Sequence, residues 1–317
     1  MKAHDALTQL FATARKERRC AIPLADADIS AVKRRVRSGD ILRVWPGIVV
    51  QREYWESLDA HEQVRHLVRA LARVHPDWVF AGPTAAIMYG LDCSYRRLRP
   101  ICIVSRLGTH YRNTDALAHI AMAHPDVVGL NGVPVTDLLR TLFDCAAKQP
   151  LRYALGPLDS ALRRQMVTPE VLRGYPASVK YSRQRDQVRR AFDLADGRSE
   201  NGGESEARAV LTELGYPPQD LQTTFPCLDD ARRTHRVDML WVRADGTKLA
   251  GEFDGTRKYV DPSMTNARTI REVVDAERQR QRCLERQGVT ILRMYYDDLD
   301  KPWLLQRRLE ELRAPHA

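Results

Sequence analysis

Two short apolar segments joined by an Asp-Gly pair constrain this chain more than any other feature. They are Arg236-Val237-Asp238-Met239-Leu240-Trp241 and Leu249-Ala250-Gly251-Glu252-Phe253-Asp254-Gly255, with Asp245-Gly246 between them. Asp-Gly is a tight-turn signal, so the spacing predicts a hairpin with strands over 237–242 and 249–253. Side chains alternate along a strand, which puts Glu252 and Asp254 on one face, and the turn folds the strand carrying Asp238 back beside them. Three converging carboxylates repel one another, and a divalent cation or shared protons relieves that repulsion. Hard oxygen ligands with room for water and phosphate suit Mg²⁺, which can acidify a bound water and neutralise charge on a phosphate oxygen. Lys258, four residues past Asp254, is placed to orient that water or to stabilise the phosphate. Solvated acids on the polar face of an exposed hairpin are the other reading of the same spacing.

The helix expected over 270–286 bears on this choice. Ile270, Val273, Val274, Glu277, Gln281 and Leu284 share one stripe of its helical wheel, so Glu277 and Gln281 fall within the apolar face. Burying a carboxylate there is costly unless it is paired. Arg280 flanks the stripe and can pair with a site acid or with a phosphate. A polar seam of this kind marks either a site or a purely structural ion pair.

The other end of the chain has a different pattern. Helices are expected over 4–15 and 29–37, the second N-capped by Asp28 and stopped by Gly39. Ile41 to Val44 and Ile48 to Val50 then flank Trp45-Pro46-Gly47 as a hairpin. Helix, helix and two-stranded wing is the order of a winged helix-turn-helix, assigned to residues 1–52. Lys33, Arg34, Arg35 and Arg37 lie opposite Ile29, Val32 and Val36, so this helix can enter a major groove while Arg43 of the wing contacts phosphate. A solvated basic face is the alternative.

An α+β domain is expected over 53–175. Its helices are 60–74, 85–89 after a break at Phe80 to Thr84, 136–145 and 158–164, with strands at 101–104, 120–123 and 133–135. A polar helix and linker over 176–198 leads to Asp196-Gly197-Arg198-Ser199 and Gly202-Gly203, which mark the last boundary. The final unit, 199–317, reads as helix, three strands, long helix, strand and closing helix. A length of 317 residues accommodates two or three such units.

The net charge of +9 leans toward a polyanionic partner. Six cysteines contain no Cys-x-x-Cys pair and no His at zinc-finger spacing, so reduced thiols in a cytoplasmic protein are expected. The N-terminus shows no signal-peptide core, and no apolar run reaches membrane-span length.

Taken in order, Gly203-Glu204-Ser205, Arg236-Val237-Asp238, Glu252-Phe253-Asp254-Gly255 and Lys258-Tyr259 form one set. Glu277, Arg280, Leu284, Gly288 and Ile291-Leu292-Arg293 form another. Together they resemble domains related to the very-short-patch-repair (Vsr) endonucleases of the PD-(D/E)xK superfamily, over about residues 199–312. The resemblance implies a restriction-endonuclease-like α/β domain with a mixed central sheet, within an α/β multi-domain chain. It implies Glu204 as the first-helix acid, Asp238 as the metal-binding Asp, Glu252 as the second acid and the Phe253 carbonyl as a further metal ligand. Asp254 stands where a Lys is expected, with Lys258 as a displaced substitute, and Gln281 stands where such domains more often carry an acid.

The N-terminal region has a resemblance of its own. It lies in Gly39-Asp40-Ile41-Leu42-Arg43-Val44-Trp45-Pro46-Gly47-Ile48-Val49-Val50, Gly82-Pro83-Thr84-Ala85-Ala86, Tyr89-Gly90-Leu91, and Val135-Thr136-Asp137-Leu138-Leu139-Arg140-Thr141 with Asp144 and Asp159. These resemble antitoxins of AbiEi-type (type IV toxin–antitoxin) systems, which implies promoter DNA and a cognate nucleotidyltransferase-type toxin as partners. Thr84, Arg140 and Asp144 also fit helix caps and internal ion pairs. Three functions follow from these readings. One is a DNA-binding protein with a Mg²⁺-dependent phosphodiesterase domain; the second is an autorepressor or antitoxin with an inactive nuclease fold. The third, a toxin-binding protein that needs no DNA, leaves the basic helix unexplained.

Overall fold

The four-stranded sheet that carries the acidic hairpin is held between helices on both of its faces. The computed structural model describes residues 2–109, 111–179, 184–254 and 270–317, so Lys258 lies outside the described residues. The chain is mixed α/β and divides into two units, residues 1–148 and 149–317.

The first unit opens with α1 (Lys2–Lys16), α2 (Asp26–Ser38), β1 (Ile41–Trp45) and β2 (Ile48–Gln51). Leu7, Phe11 and Ala14 recur at helical spacing on α1 and pack with Val32 of α2, Ile41 of β1 and Val49 of β2. Gly39 adopts φ 86° and its N–H reaches the Val36 carbonyl at 3.3 Å, the left-handed stop expected of it. Asp28 is not the N-cap. The helix begins two residues earlier, at Asp26, without a side-chain cap, and Asp28 lies in the first turn, where its charge still favours the N-terminal dipole.

The remainder of this unit is α3 (Arg52–Ser57), α4 (Ala60–Val74), α5 (Gly82–Met88), β3 (Ile101–Arg106), β4 (Leu117–Met122), β5 (Val127–Leu130), β6 (Val133–Thr136) and α6 (Leu138–Lys148). A break separates α4 from α5 as expected, but α5 starts at Gly82 rather than at residue 85, and Pro83 occupies its first turn, where a missing N–H is harmless. β3 and β4 pair in parallel, β5 and β6 antiparallel, and Phe80 bridges Ile103 on one side and Val135 on the other. The Thr84 hydroxyl accepts from the Cys102 N–H at 2.9 Å, and Arg140 pairs with buried Asp144 at 3.0 Å, so all three have structural work.

The second unit contains α7 (Leu151–Arg163), α8 (Pro169–Ser178), α9 (Arg185–Leu194), α10 (Gly202–Glu213), β7 (Asp220–Pro226), β8 (Thr234–Val242), β9 (Lys248–Phe253), α11 (Ile270–Glu285), β10 (Val289–Met294), α12 (Tyr296–Asp300) and α13 (Pro302–Glu311). Residues 149–198, expected in the middle domain and a linker, lie in this unit instead. The reason is packing: α7 lies along α10, and buried Asp159 on α7 pairs with Arg208 on α10 at 2.6 Å. The strand order is β10-β9-β8-β7, with β10 parallel to β9 and the other pairs antiparallel, a mixed sheet. One face of the sheet, with Trp241, Leu249, Phe253, Leu292 and Met294, packs against α10 and α13. The other, with Leu240, Ala250 and Val289, packs against Leu284 of α11. Among the described residues no helix is long and apolar enough to cross a membrane.

The Asp159–Arg208 pair makes a stability prediction. Removing one partner leaves a buried charge alone, so Asp159→Ala should destabilise the second unit by about 3–5 kcal/mol in urea denaturation. A loss below about 1 kcal/mol, the range of exposed pairs, would contradict this account of how α7 is held.

Candidate functional site

The hairpin register explains where polar groups collect. β8 and β9 pair from Val242↔Lys248 to Met239↔Gly251, and their pairing stops there. β8 continues beside β7 through Val237 and Arg236, while β9 continues beside β10 through Glu252 and Phe253. The two central strands therefore part at Asp238 and Glu252, leaving a backbone carbonyl on one and an amide on the other to find new partners. Asp238 Oδ2 accepts from the Phe253 N–H at 2.9 Å, and the Arg236 carbonyl accepts from Arg280 Nη2 at 2.7 Å. Both groups are satisfied by side chains, and both side chains are among those expected in the site.

Alternation puts Glu252 and Asp254 on the sheet face shared with Ala250, the face that α11 covers; on β8, Val237 and Leu240 both lie on that face and Met239 on the other, so the alternation breaks at Asp238, opposite the irregular Gln222. From α11, Arg280 donates to Glu252 at 2.5 Å and to Glu277 at 3.1 Å. Arg293 of β10 also bonds Glu277 and lies 3.9 Å from Asp254. The order is therefore Glu252, Arg280, Glu277, Arg293, Asp254, an alternation of charges. Burial works against the Arg280 charge, but the hydrogen bond and charge of Glu252, then those of Glu277, outweigh it and hold the guanidinium above the ordinary arginine range. Four carboxylates, counting Asp238, face two guanidiniums, so this set carries two negative charges in excess.

The expected residues separate into distinct places. Asp238, Glu252, Asp254, Glu277 and Arg280 are brought to one end of the sheet, although among the described residues no three of these acids offer oxygens within 4.8 Å of one another. The arginines stand between them. Glu204, at the start of α10, accepts from the Glu200 N–H at 2.7 Å, Asn201 Nδ2 at 2.6 Å and Gln222 Nε2 at 3.0 Å. It braces the entry to its own helix. Gly203 beside it has no room for a Cβ, which would collide with the Phe253 ring, so α10 lies directly on β9. Gln281 is not in the cluster. It sits one turn beyond Glu277, and its amide donates to Glu285 on the same helix at 2.8 Å. The side chains of Ile270, Val273 and Val274 lie outside the described ones.

Two participants have roles that the sequence reading does not assign. Arg293 belongs to the resemblance without a role of its own, because its position between two acids is set by the parallel pairing Arg293↔Glu252. Gln222 lies on β7 between residues paired with Val237 and Met239, so it flanks Asp238. Its φ of 54° is in the left-handed region, which costs a side-chain-bearing residue roughly 1–2 kcal/mol. Its Oε1 is buried with no hydrogen-bond partner among the described residues. Glu252 spends Oε1 on Arg280 and has no further partner among the described residues. An orphaned amide oxygen and carboxylates are hard donors of the kind Mg²⁺ and its bound waters use, so the chemistry of these residues fits such an ion.

In the first unit, Lys33, Arg34 and Arg37 of α2 and Arg43 of β1 are exposed, while Arg35 is half-buried and has a partner. The exposed face of α2 is therefore basic, opposite Val32 in the core.

Arg280→Met tests the charge alternation. It strands Glu252, which is largely shielded, and leaves Glu277 with Arg293 alone, and should destabilise the second unit by about 2–4 kcal/mol. Arg282→Met, on the exposed side of the same helix, should change stability by less than about 0.5 kcal/mol. Equal effects from the two would show that the guanidinium between the acids has no special weight.

No protein-family model matches the chain. It is similar to two uncharacterized proteins of Mycobacterium tuberculosis, one in each of two strains. Each is 26% identical over 239 residues, covering 72% of this chain and 79% of its own.

Proposed function

We propose that the chain is a DNA-binding protein whose second unit carries a Mg²⁺-dependent phosphodiesterase site on a restriction-endonuclease-like scaffold. The observation that carries the reading is the opening between β8 and β9, which gathers Asp238, Glu252 and Asp254 at one end of the sheet with negative charge in excess. Asp238 and Glu252, with the Phe253 carbonyl, are the residues that would hold the ion. When bound, Mg²⁺ supplies an acidified water and neutralises charge on the phosphate. Arg280 fixes the orientation of Glu252, and Arg293 holds Glu277 and the Asp254 side of the site. In the first unit, α1, α2 and the β1–β2 hairpin form a winged helix. Its exposed Lys33, Arg34 and Arg37 suit a groove, and Arg43 suits the flanking phosphates.

A second reading is favoured by a specific observation. Arg280 and Arg293 already balance Glu252, Glu277 and Asp254 in part without any cation. On that reading the second unit is an inactive scaffold, and the protein is an autorepressor or antitoxin acting with a nucleotidyltransferase-type toxin.

Plasmid and single-stranded DNA incubated with the full chain, in Mg²⁺ or in EDTA, separate the two. The first reading predicts Mg²⁺-dependent nicking that Asp238→Ala abolishes. DNA that is shifted but never cut, with Asp238→Ala indistinguishable from wild type, contradicts it and supports the regulator. On either reading, replacing Lys33, Arg34 and Arg37 with Gln should weaken binding and lower the slope of log K against log salt by about 0.9 for each phosphate no longer neutralised. An unchanged slope would remove α2 from the DNA interface.

A further inference from the structure

Away from the acid cluster, the β7–β8 connection and α11 bring together three side chains of a different chemistry. Phe225 pairs with His235 across the hairpin, and the Cys227 N–H reaches the Arg233 carbonyl at 2.9 Å, so the turn sets Cys227 close to His235. Cys283 comes from α11. One ligand atom from each of Cys227, His235 and Cys283 lies within 4.8 Å of the other two, and all three residues are buried.

Several observations separate this trio from ordinary core packing. The two sulfurs are 3.9 Å apart. That is too long for a disulfide, whereas two thiolates on a tetrahedral ion at about 2.3 Å stand roughly 3.8 Å from each other. His235 is only 7% exposed, yet its Nε2 is buried without a hydrogen-bond partner among the described residues. Leaving a ring nitrogen dry and unpaired is costly, and metal coordination relieves that cost. Cys283 Sγ accepts from the Leu228 N–H at 3.2 Å and from Gln287 Nε2 at 3.7 Å, the outer-shell donors that steady a thiolate.

The geometry points to a zinc site formed by Cys227, His235 and Cys283, with water as the fourth ligand, that fastens the β7–β8 turn to α11. Two sulfurs and one imidazole are a soft to borderline donor set, which selects Zn²⁺ over the hard Mg²⁺ of the carboxylate end. Three protein ligands and a water leave one coordination position open, and the ion's role here is to tie two elements together. The zinc fixes the C-terminal part of α11, the helix that delivers Glu277 and Arg280. The site does not depend on the phosphodiesterase reading and survives its failure.

Full-length protein purified without chelator should contain about one equivalent of zinc by mass spectrometry. After stripping, Co²⁺ titration of the wild type should give thiolate charge-transfer absorption and the intense visible bands of a tetrahedral site, a readout that needs no variant. His235→Ala and Cys283→Ser should weaken metal binding by more than the ~10–100-fold that losing an outer-shell partner costs. Cys102→Ala, in the first unit, should leave it unchanged. Zinc-free protein without cobalt bands overturns the proposal. So does a Cys227–Cys283 disulfide in freshly purified protein, or metal binding that the His235 and Cys283 changes leave intact.

Discussion

Arg280 links more of the candidate site than any other residue. From α11 it reaches the carbonyl that β8 leaves unpaired at Arg236, and it bonds the two carboxylates on either side of it, Glu252 and Glu277. Without that reach the parting of β8 and β9 would leave the Arg236 carbonyl to solvent and the shielded Glu252 without its guanidinium. With it, the strands can separate, Asp238 can turn its carboxylate to the Phe253 amide, and the sheet gains a polar notch at one end. The rest of the second unit supports this exchange of ladder bonds for side-chain bonds. α10 presses on β9 through Gly203, and Leu284 seats α11 among Leu240, Ala250 and Val289.

How much of this is legible in the sequence follows from how local each cause is. The hairpin, the shared face of Glu252 and Asp254, and the Gly39 stop rest on alternation and turn chemistry within a few residues, and the structure has them. Arg280 is legible as a partner for a site acid because helical spacing puts it beside Glu277. Gln281 misleads for the same reason. A wheel shows the direction of a side chain but not where the helix leaves the sheet, and one turn beyond Glu277 the neighbour is Glu285. The break before α5 is where the sequence puts it, but Gly82 to Thr84 belong to the helix, because proline is compatible with a first turn and the residues around it are too small to show periodicity.

What stays hidden depends on strand pairing between distant segments. Arg293 meets Asp254 and Glu277 only because β10 runs parallel to β9. Gln222 flanks Asp238 through an antiparallel register on the other side of the sheet. Cys227, His235 and Cys283 come from a turn, a strand and a helix, and no spacing rule joins them. The domain boundary is of the same kind: polar composition over 176–198 suggests a linker, but α7 and α9 belong to the second unit, where the Asp159–Arg208 pair binds α7 to α10.

The central claim is that the notch between β8 and β9 takes a divalent cation in addition to its arginines. Electron paramagnetic resonance of Mn²⁺, a hard octahedral stand-in for Mg²⁺, measures this directly on the full chain without requiring catalysis. The account predicts saturable loss of the free Mn²⁺ signal at about one ion per chain, competed by Mg²⁺ and absent in Asp238→Asn. A free-ion signal unchanged by the wild-type protein, or binding that Asp238→Asn retains in full, would contradict it.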